Sequence, residues 1–348
     1  MMGVVSIVIA VAPAIGPTVS GVILSVADWR WIFWLVLPIS ILALVLGAIF
    51  LRNVTKTHFV KFDVLSTVLS AFAFGGLIFG LSSVGEAALG HAPVPVWIPI
   101  VVGTVALIAF VLRQLQLQRT DAALLDLRTF RSRPFSIAVA LIAIVMASLF
   151  GSLILLPIYL QQVLGLNTLA VGLVLLPGGI LMGAMAPLVG SAFDRYGPTT
   201  LVIPGVMIVA GALWGMTTFG AATPVAWIIA VHATLSIGLG LVLTPLLTSA
   251  LGSLPQPLYP HGSAILRTVQ QVAGAAGTAL FVTVMTVTAA AQSELGAAPS
   301  TSTAAGVHNA LLIGALVATL GALLACFVRK PADASLSDQE SRTVLAPH

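Results

Sequence analysis

Apolar residues run through this chain in blocks of about twenty, separated by short polar stretches. Ten blocks are long enough to count: 3–25, 31–51, 64–84, 96–113, 135–160, 168–191, 199–219, 225–249, 263–290 and 307–328. A helix needs roughly 20 apolar residues to cross the hydrocarbon core of a bilayer, so the pattern predicts ten transmembrane helices. Barrel strands instead alternate apolar and polar positions over about 10 residues, and these blocks do not. The fold class read from the pattern is an all-α polytopic membrane protein. The fifth and ninth blocks are long enough to tilt or to project past the membrane surface.

Composition narrows the classes further. Of 348 residues, 59% are hydrophobic and 7% charged, against about 25% charged in a soluble domain. The 32 glycines and 20 prolines fit membrane helices, where both are enriched. Cys326 is the single cysteine, which excludes an internal disulfide framework. The first block lacks a basic flank and is too long for a signal-peptide core, so no cleavable signal peptide is expected.

A pI near 9.7 would suit a nucleic-acid binder, but the positions of the basic residues give another reason for it. With the N-terminus in the cytoplasm, the inner connections hold Arg52, Lys56, Lys61, Arg113, Arg119, Arg128, Arg131, Arg133 and Arg195. Arg267, Arg329, Lys330 and Arg342 complete the inner set. That is 13 of the 14 basic residues, with Arg30 alone outside. Lys and Arg concentrate on the cytoplasmic side, so both termini are expected to be cytoplasmic in a cell (inner or plasma) membrane. No nucleic-acid partner is expected.

The stretch "APAIGPTVSGVIL", Ala12 to Leu24, puts two prolines into an uncharged helix. Ala12, Gly16 and Ser20 recur every four residues beside Gly21. Such a stripe lets helices approach closely in lipid, and neighbours can satisfy the carbonyls that proline frees. The stripe reads either as a tight interface or as a bent contact that closes one side of a transport path. The stretch resembles the GxxxGPxxGG signature in the fifth helix of drug:proton antiporters of the major facilitator superfamily. Gly16, Pro17 and Gly21 match; Ala12 and Ser20 replace glycines. "DWRWIFWLVLPI" at 28–39 and "KFDVLSTVLSAFAFGGL" at 61–77 look like the sixth and seventh helices of the fourteen-helix branch, with Leu37 where an Asn is usual.

Two further stretches carry the resemblance. "GSAFDRYGPTT", Gly190 to Thr200, resembles the cytoplasmic GxxxDRxGRK loop of the superfamily. Gly190, Asp194, Arg195 and Gly197 match, and Pro198 and Thr199 replace the basic pair. The two glycines would permit a tight turn, and Asp194 would favour a helix N-terminus. The segment reads as a gating latch or as a solvated charge pair. "RTVQQVAGAAGTALF" at 267–281 looks like the branch's penultimate helix, which faces the central cavity. Its Arg267, Gln270, Gln271, Gly274 and Gly277 are expected on one face.

The resemblance implies a helical bundle in which residues 1–51 finish a first bundle. Residues 52–134 would form an inserted two-helix hairpin with its linker, 135–328 a complete six-helix second bundle, and 329–348 a disordered cytoplasmic tail. It also implies four further helices before Met1, so the chain is expected to be the C-terminal part of such a transporter. The implied function is export of lipophilic or cationic small molecules in exchange for protons, with no cofactor beyond the proton gradient, no metal, and any accessory protein unassigned.

Few ionisable residues sit within the spans, and such residues are functional candidates by default. Asp63 lies at an inner helix mouth, where capping is the simpler role. His232 sits in the eighth block and, with a reference pKa near 6.5, can titrate at working pH or bond a neighbouring helix. Met146, Phe150 and Tyr159 on the fifth block, with Gln270 and Gln271, are candidate cavity residues, because aromatic and Met side chains suit lipophilic cations. An enzyme would need clustered chemistry; the six histidines are scattered and no HExxH, CxxC, GxSxG or P-loop occurs. A remnant that inserts without transporting and a solute:proton symporter are the remaining alternatives.

Overall fold

The computed structural model describes residues 16, 18–50, 63–88, 94–120 and 123–327, and these contain helices and no strands. Residues 18–26 form the described part of helix α1. The helices that follow are α2 (Arg30–Phe50), α3 (Val64–Ala88), α4 (Trp97–Leu117), α5 (Arg133–Gln162) and α6 (Thr168–Tyr196). The last four are α7 (Thr199–Met216), α8 (Val225–Gly252), α9 (Tyr259–Glu294) and α10 (Pro299–Ala325). Nine of these, α2 to α10, are long and apolar enough to cross a membrane. A helix satisfies its own backbone polar groups, which a hydrocarbon solvent would otherwise leave unpaired. Ala12, Pro17 and the tail from 329 lie outside the described residues.

Side chains at the helix ends set the boundaries. Ser132 caps α5 by accepting a hydrogen bond from Phe135 N at 3.4 Å, and Asn167 caps α6 by accepting from Ala170 N at 2.8 Å. Gly197, at φ +79°, ends α6, a backbone geometry that a residue with a Cβ rarely adopts. α9 runs for 36 residues, about 54 Å at ~1.5 Å per residue, so it outruns a core of about 30 Å.

α5 to α10 pack into one body through α5–α9, α7–α8, α9–α10, α6–α8, α7–α10 and α5–α10 contacts. α3 pairs with α4 and lies along α9. α2 buries none of its residues and exposes a nearly continuous apolar surface, as a helix facing lipid would. Glycines set the closest approaches. A Cβ on Gly277 would lie 2.4 Å from Ala147 Cα, and one on Gly103 would lie 2.6 Å from Leu77 N. Phe281 is buried between glycines of two helices: Cβ atoms on Gly151 and Gly314 would come within 2.7 and 2.4 Å of its ring.

The glycine contacts predict position-specific costs. Gly277→Val should destabilise the protein by about 1–3 kcal/mol, as overpacking does, and lower its thermal midpoint in detergent. Gly211→Ala, with no atom within 4 Å of its Cβ, should leave the midpoint unchanged or slightly raised.

Candidate functional site

A cavity of about 550 Å³ lies between α3, α5 and α9, within the range of small-molecule sites. α9 supplies one wall. Gln271, Ala275, Thr278, Val282 and Thr286 fall at i, i+4, i+7, i+11 and i+15, one face of a helix, and all line the cavity. Phe150 of α5 closes the side, and its position depends on Gly274, where a Cβ would lie 2.7 Å from the ring. α3 contributes Ile78, Ser82, Gly85 and Glu86. Glu86 is the one charged residue of the lining.

The walls are joined by specific contacts. The Thr283 hydroxyl donates to the Leu81 carbonyl at 3.0 Å, linking α9 to α3. A Cβ on Gly85 would lie 3.4 Å from Thr283 Cα, so these two helices nearly touch at the backbone. The arrangement can hold an apolar ligand against Phe150, hydrogen-bond it through Gln and Thr side chains, and balance a positive charge with Glu86. A cation over an aromatic face gains about 0.5–2 kcal/mol.

Where α3 begins and near the end of α4, an ion pair fixes the hairpin. Arg113 donates from Nε and from its second terminal nitrogen to the two Asp63 carboxylate oxygens, both at 2.9 Å. Asp63 also accepts from Ser66 N at 3.3 Å, at the first turn of α3. Gln114, fully buried, donates to Ser66 Oγ at 2.7 Å and accepts from Leu125 N at 3.0 Å. The Arg113 guanidinium beside Asp63 holds its carboxyl far below the usual carboxylate range. Asp63 is therefore a structural anchor.

The structure places the other residues singled out in the sequence as follows. Phe150 and Gln271 line the cavity. Gln270 instead meets Arg267, whose guanidinium donates to its Oε1 at 3.4 Å, and Gly277 turns toward Ala147, so the expected single face divides. Met146 is buried in the core of the α5–α10 body. Tyr159, 1% exposed, stacks on Phe219 and donates to the Gly220 carbonyl at 2.7 Å, which makes it a brace between α5 and the α7–α8 connection. In α1, Gly21 is the close contact: a Cβ there would lie 2.8 Å from the Thr168 carbonyl oxygen. Thr18 donates to the Gly172 carbonyl at 2.9 Å, whereas Gly16 faces open space.

The expected loop at 190–200 is mostly helix. Gly190, Asp194 and Arg195 belong to the last turns of α6, and of the two glycines Gly197 alone makes the turn. Asp194 thus sits at a helix C-terminus rather than before the N-terminus of α7, because the helix-compatible stretch "SAFDRY" carries α6 six residues past Gly190. Asp194 and Arg195 are exposed and have no ion-pair partner among the described residues; Arg195 lies 5.2 Å over the Tyr196 ring. His232 is packed between α8 and α6, where a Cβ on Gly178 would lie 2.9 Å from its Nε2.

Glu86 and the threonines of α9 were missed by reading the sequence. Their signal was present in the i, i+4, i+7 recurrence of Thr278 and Thr286 with Gln271, but α3 and α9 lie about 200 residues apart and only the fold brings Glu86 to that face.

A model of the Major Facilitator Superfamily matches residues 1–278. The lincomycin resistance protein LmrB of Listeria monocytogenes is 43% identical over 334 residues, covering 94% of this chain and 70% of that protein. The LmrB of Bacillus subtilis is 41% identical over 335 residues, covering 94% and 69%. A multidrug resistance protein B homolog of Mycobacterium tuberculosis is 34% identical over 282 residues, covering 79% and 51%.

The Asp63 anchor predicts an acid dependence. A depressed carboxyl contributes its stability above its ordinary pKa near 4 and loses it as pH falls through the lower folded value. The thermal midpoint in detergent should therefore owe no change to this pair between about pH 5 and 8, and should fall below about pH 4. Arg113→Met should lower the midpoint at neutral pH and remove that acid-dependent part.

Proposed function

The chain belongs to the major facilitator superfamily, and on that premise we propose that it exports lipophilic or cationic small molecules in exchange for protons. It is a multi-pass membrane transport protein and not an enzyme. The observation that carries the substrate class is the α3–α5–α9 cavity, where Glu86, Phe150 and a band of Gln and Thr side chains face one space. Phe150 stands against Gly274 near one end of this lining and Glu86 beside Thr283 and Thr286 further along α9, so an elongated amphiphilic cation suits the cavity better than an anion or a sugar. The names of the relatives, lincomycin and multidrug resistance proteins, support export of drugs.

In this reading the chain belongs to the fourteen-helix antiporter branch. α3 and α4 are the inserted hairpin, α5 to α10 the second bundle, and both termini face the cytoplasm. The contact of Gly21 and Thr18 with the first turn of α6 joins the antiporter-type helix to the second bundle. Transporters of this kind rock one bundle against the other around a midplane site, and this contact, a glycine against backbone plus the single Thr18 hydroxyl bond, leaves few side chains to rearrange as it opens and closes. Asp194 and Arg195 mark the inner surface where such a movement would be latched. His232 is the candidate proton-linked group.

Efflux of ethidium from cells expressing the full chain tests the reading, with lincomycin susceptibility as a second probe. Export should stop when a protonophore collapses the gradient. Glu86→Gln and Gln271→Ala should each reduce the initial rate several-fold, with Glu86→Gln acting on cationic probes more than on neutral ones. Efflux that persists without the gradient, or is indifferent to both substitutions, would overturn it.

A further inference from the structure

Four buried side-chain nitrogen or oxygen atoms lack a hydrogen-bond partner among the described residues: Gln118 Oε1, Ser152 Oγ, Thr199 Oγ1 and His232 Nδ1. Two of the four, Ser152 Oγ and His232 Nδ1, belong to residues that line one small cavity of about 40 Å³ between α5, α6 and α8. Buried polar groups are nearly always paired, so two orphans meeting at one cavity need a shared explanation.

Neither atom is satisfied by its own helix. Helical serines commonly return the hydroxyl to the carbonyl four residues earlier. Ser148 does so to Ile144 at 2.9 Å and Ser236 to His232 at 2.9 Å. Ser152, 3% exposed, does not. The His232 ring lies with Nε2 toward α6, close to Gly178 and beside the Leu175 carbonyl, which can accept its proton. In the neutral ring that leaves Nδ1 as the acceptor. The remaining large side chains of the lining are Leu149, Leu153, Leu175, Met182, Leu235 and Leu239, so no charged group faces the ring from α5, α6 or α8, and His232 is the titratable member.

A cavity needs only about 10–15 Å³ to hold a water, which then requires two or more polar partners. A drug-sized ligand needs at least about 300 Å³. We propose that Ser152 and His232 together hold one water molecule at the α5–α6–α8 junction, and that this water carries the proton to and from His232. Ser152 Oγ accepts or donates one hydrogen bond, and Nδ1 accepts the other from the water O–H. A proton reaching the water passes to Nδ1, leaving neutral water and an imidazolium, and release reverses the step. The second half of the proposal rests on the reading of His232 as proton-linked; the water site does not.

Solid-state nitrogen NMR of the full chain, histidine-labelled and reconstituted in lipid vesicles at pH 8, tests the site. The His232 resonances are identified by their loss in His232→Gln. The expected result is a Nε2–H ring with a hydrogen-bonded Nδ1 and a cross-peak to water, both altered by Ser152→Ala. A Nδ1 shift typical of an unbonded nitrogen, without a water cross-peak and unmoved by Ser152→Ala, overturns the water site. For the proton step, Ser152→Ala should slow proton-driven ethidium efflux more than five-fold, while ethidium–ethidium exchange at equal pH on both sides, which moves no net proton, falls less than two-fold. Equal slowing of both overturns the relay. A wild-type chain that moves no ethidium under either condition refutes the export reading and leaves the relay without a transport cycle, while the NMR result still decides the water site.

Discussion

The whole arrangement depends on how closely α9 can be approached. In lipid no water is released when apolar helices meet, so association rests on packing and on hydrogen bonds between helices. α9 meets that constraint on two sides. Toward α5 it presents Gly274 and Gly277, where backbone meets Phe150 and Ala147 without intervening side chains. Toward α3 it presents Thr283, whose hydroxyl reaches the Leu81 carbonyl. Phe281, wedged against Gly151 and Gly314, locks α5 and α10 to the same helix. Larger residues at these glycines would push α5 outward and widen or collapse the cavity that α9 walls.

Two ion pairs join segments near the helix ends. Asp63 and Arg113 join the start of α3 to the last turns of α4 by a two-point contact. Asp126 and Arg128 pair in the turn that leads to α5. Burial alone would raise the Asp126 carboxyl, but hydrogen bonds from Arg128 hold it below the usual range. Glu86, in the last turn of α3, also stands near a helix end, but it lines the large cavity with no ion-pair partner among the described residues, as expected of a carboxylate reserved for a ligand.

Much of the helical layout was legible because a helix in lipid is a local decision. Apolar runs located α2 to α10 to within a few residues, except that α9 and α10 begin earlier and α6 ends later than their apolar cores. In those places polar but helix-compatible residues, such as "SAFDRY" after Gly190, extend a helix beyond the membrane. Side-chain direction was harder to read. Met146 and Tyr159 carry the chemistry of a binding wall, yet they sit in the core of the α5–α10 body, because α5 is packed there against α8, α9 and α10 and its Tyr159 reaches the α7–α8 connection. Gly16 and Gly21 look alike in sequence, and only Gly21 meets another backbone. Such distinctions depend on which helix lies opposite, and that is set by long-range packing.

α5 connects the two polar sites. Phe150 and Ser152 are two residues apart, and successive residues turn by about 100° around a helix, so their side chains leave α5 on opposite faces. Phe150 walls the large cavity with α3 and α9, and Ser152 enters the small one with α6 and α8. Gly151 lies between them, against Phe281. A rigid helix cannot move one face without the other. A ligand that pushes α5 itself through Phe150 would also shift Ser152 relative to His232, and a movement of α5 that starts at His232 would reach the wall of the large cavity. This shared helix is a direct physical route by which occupancy of the cavity and the state of the buried histidine can influence each other.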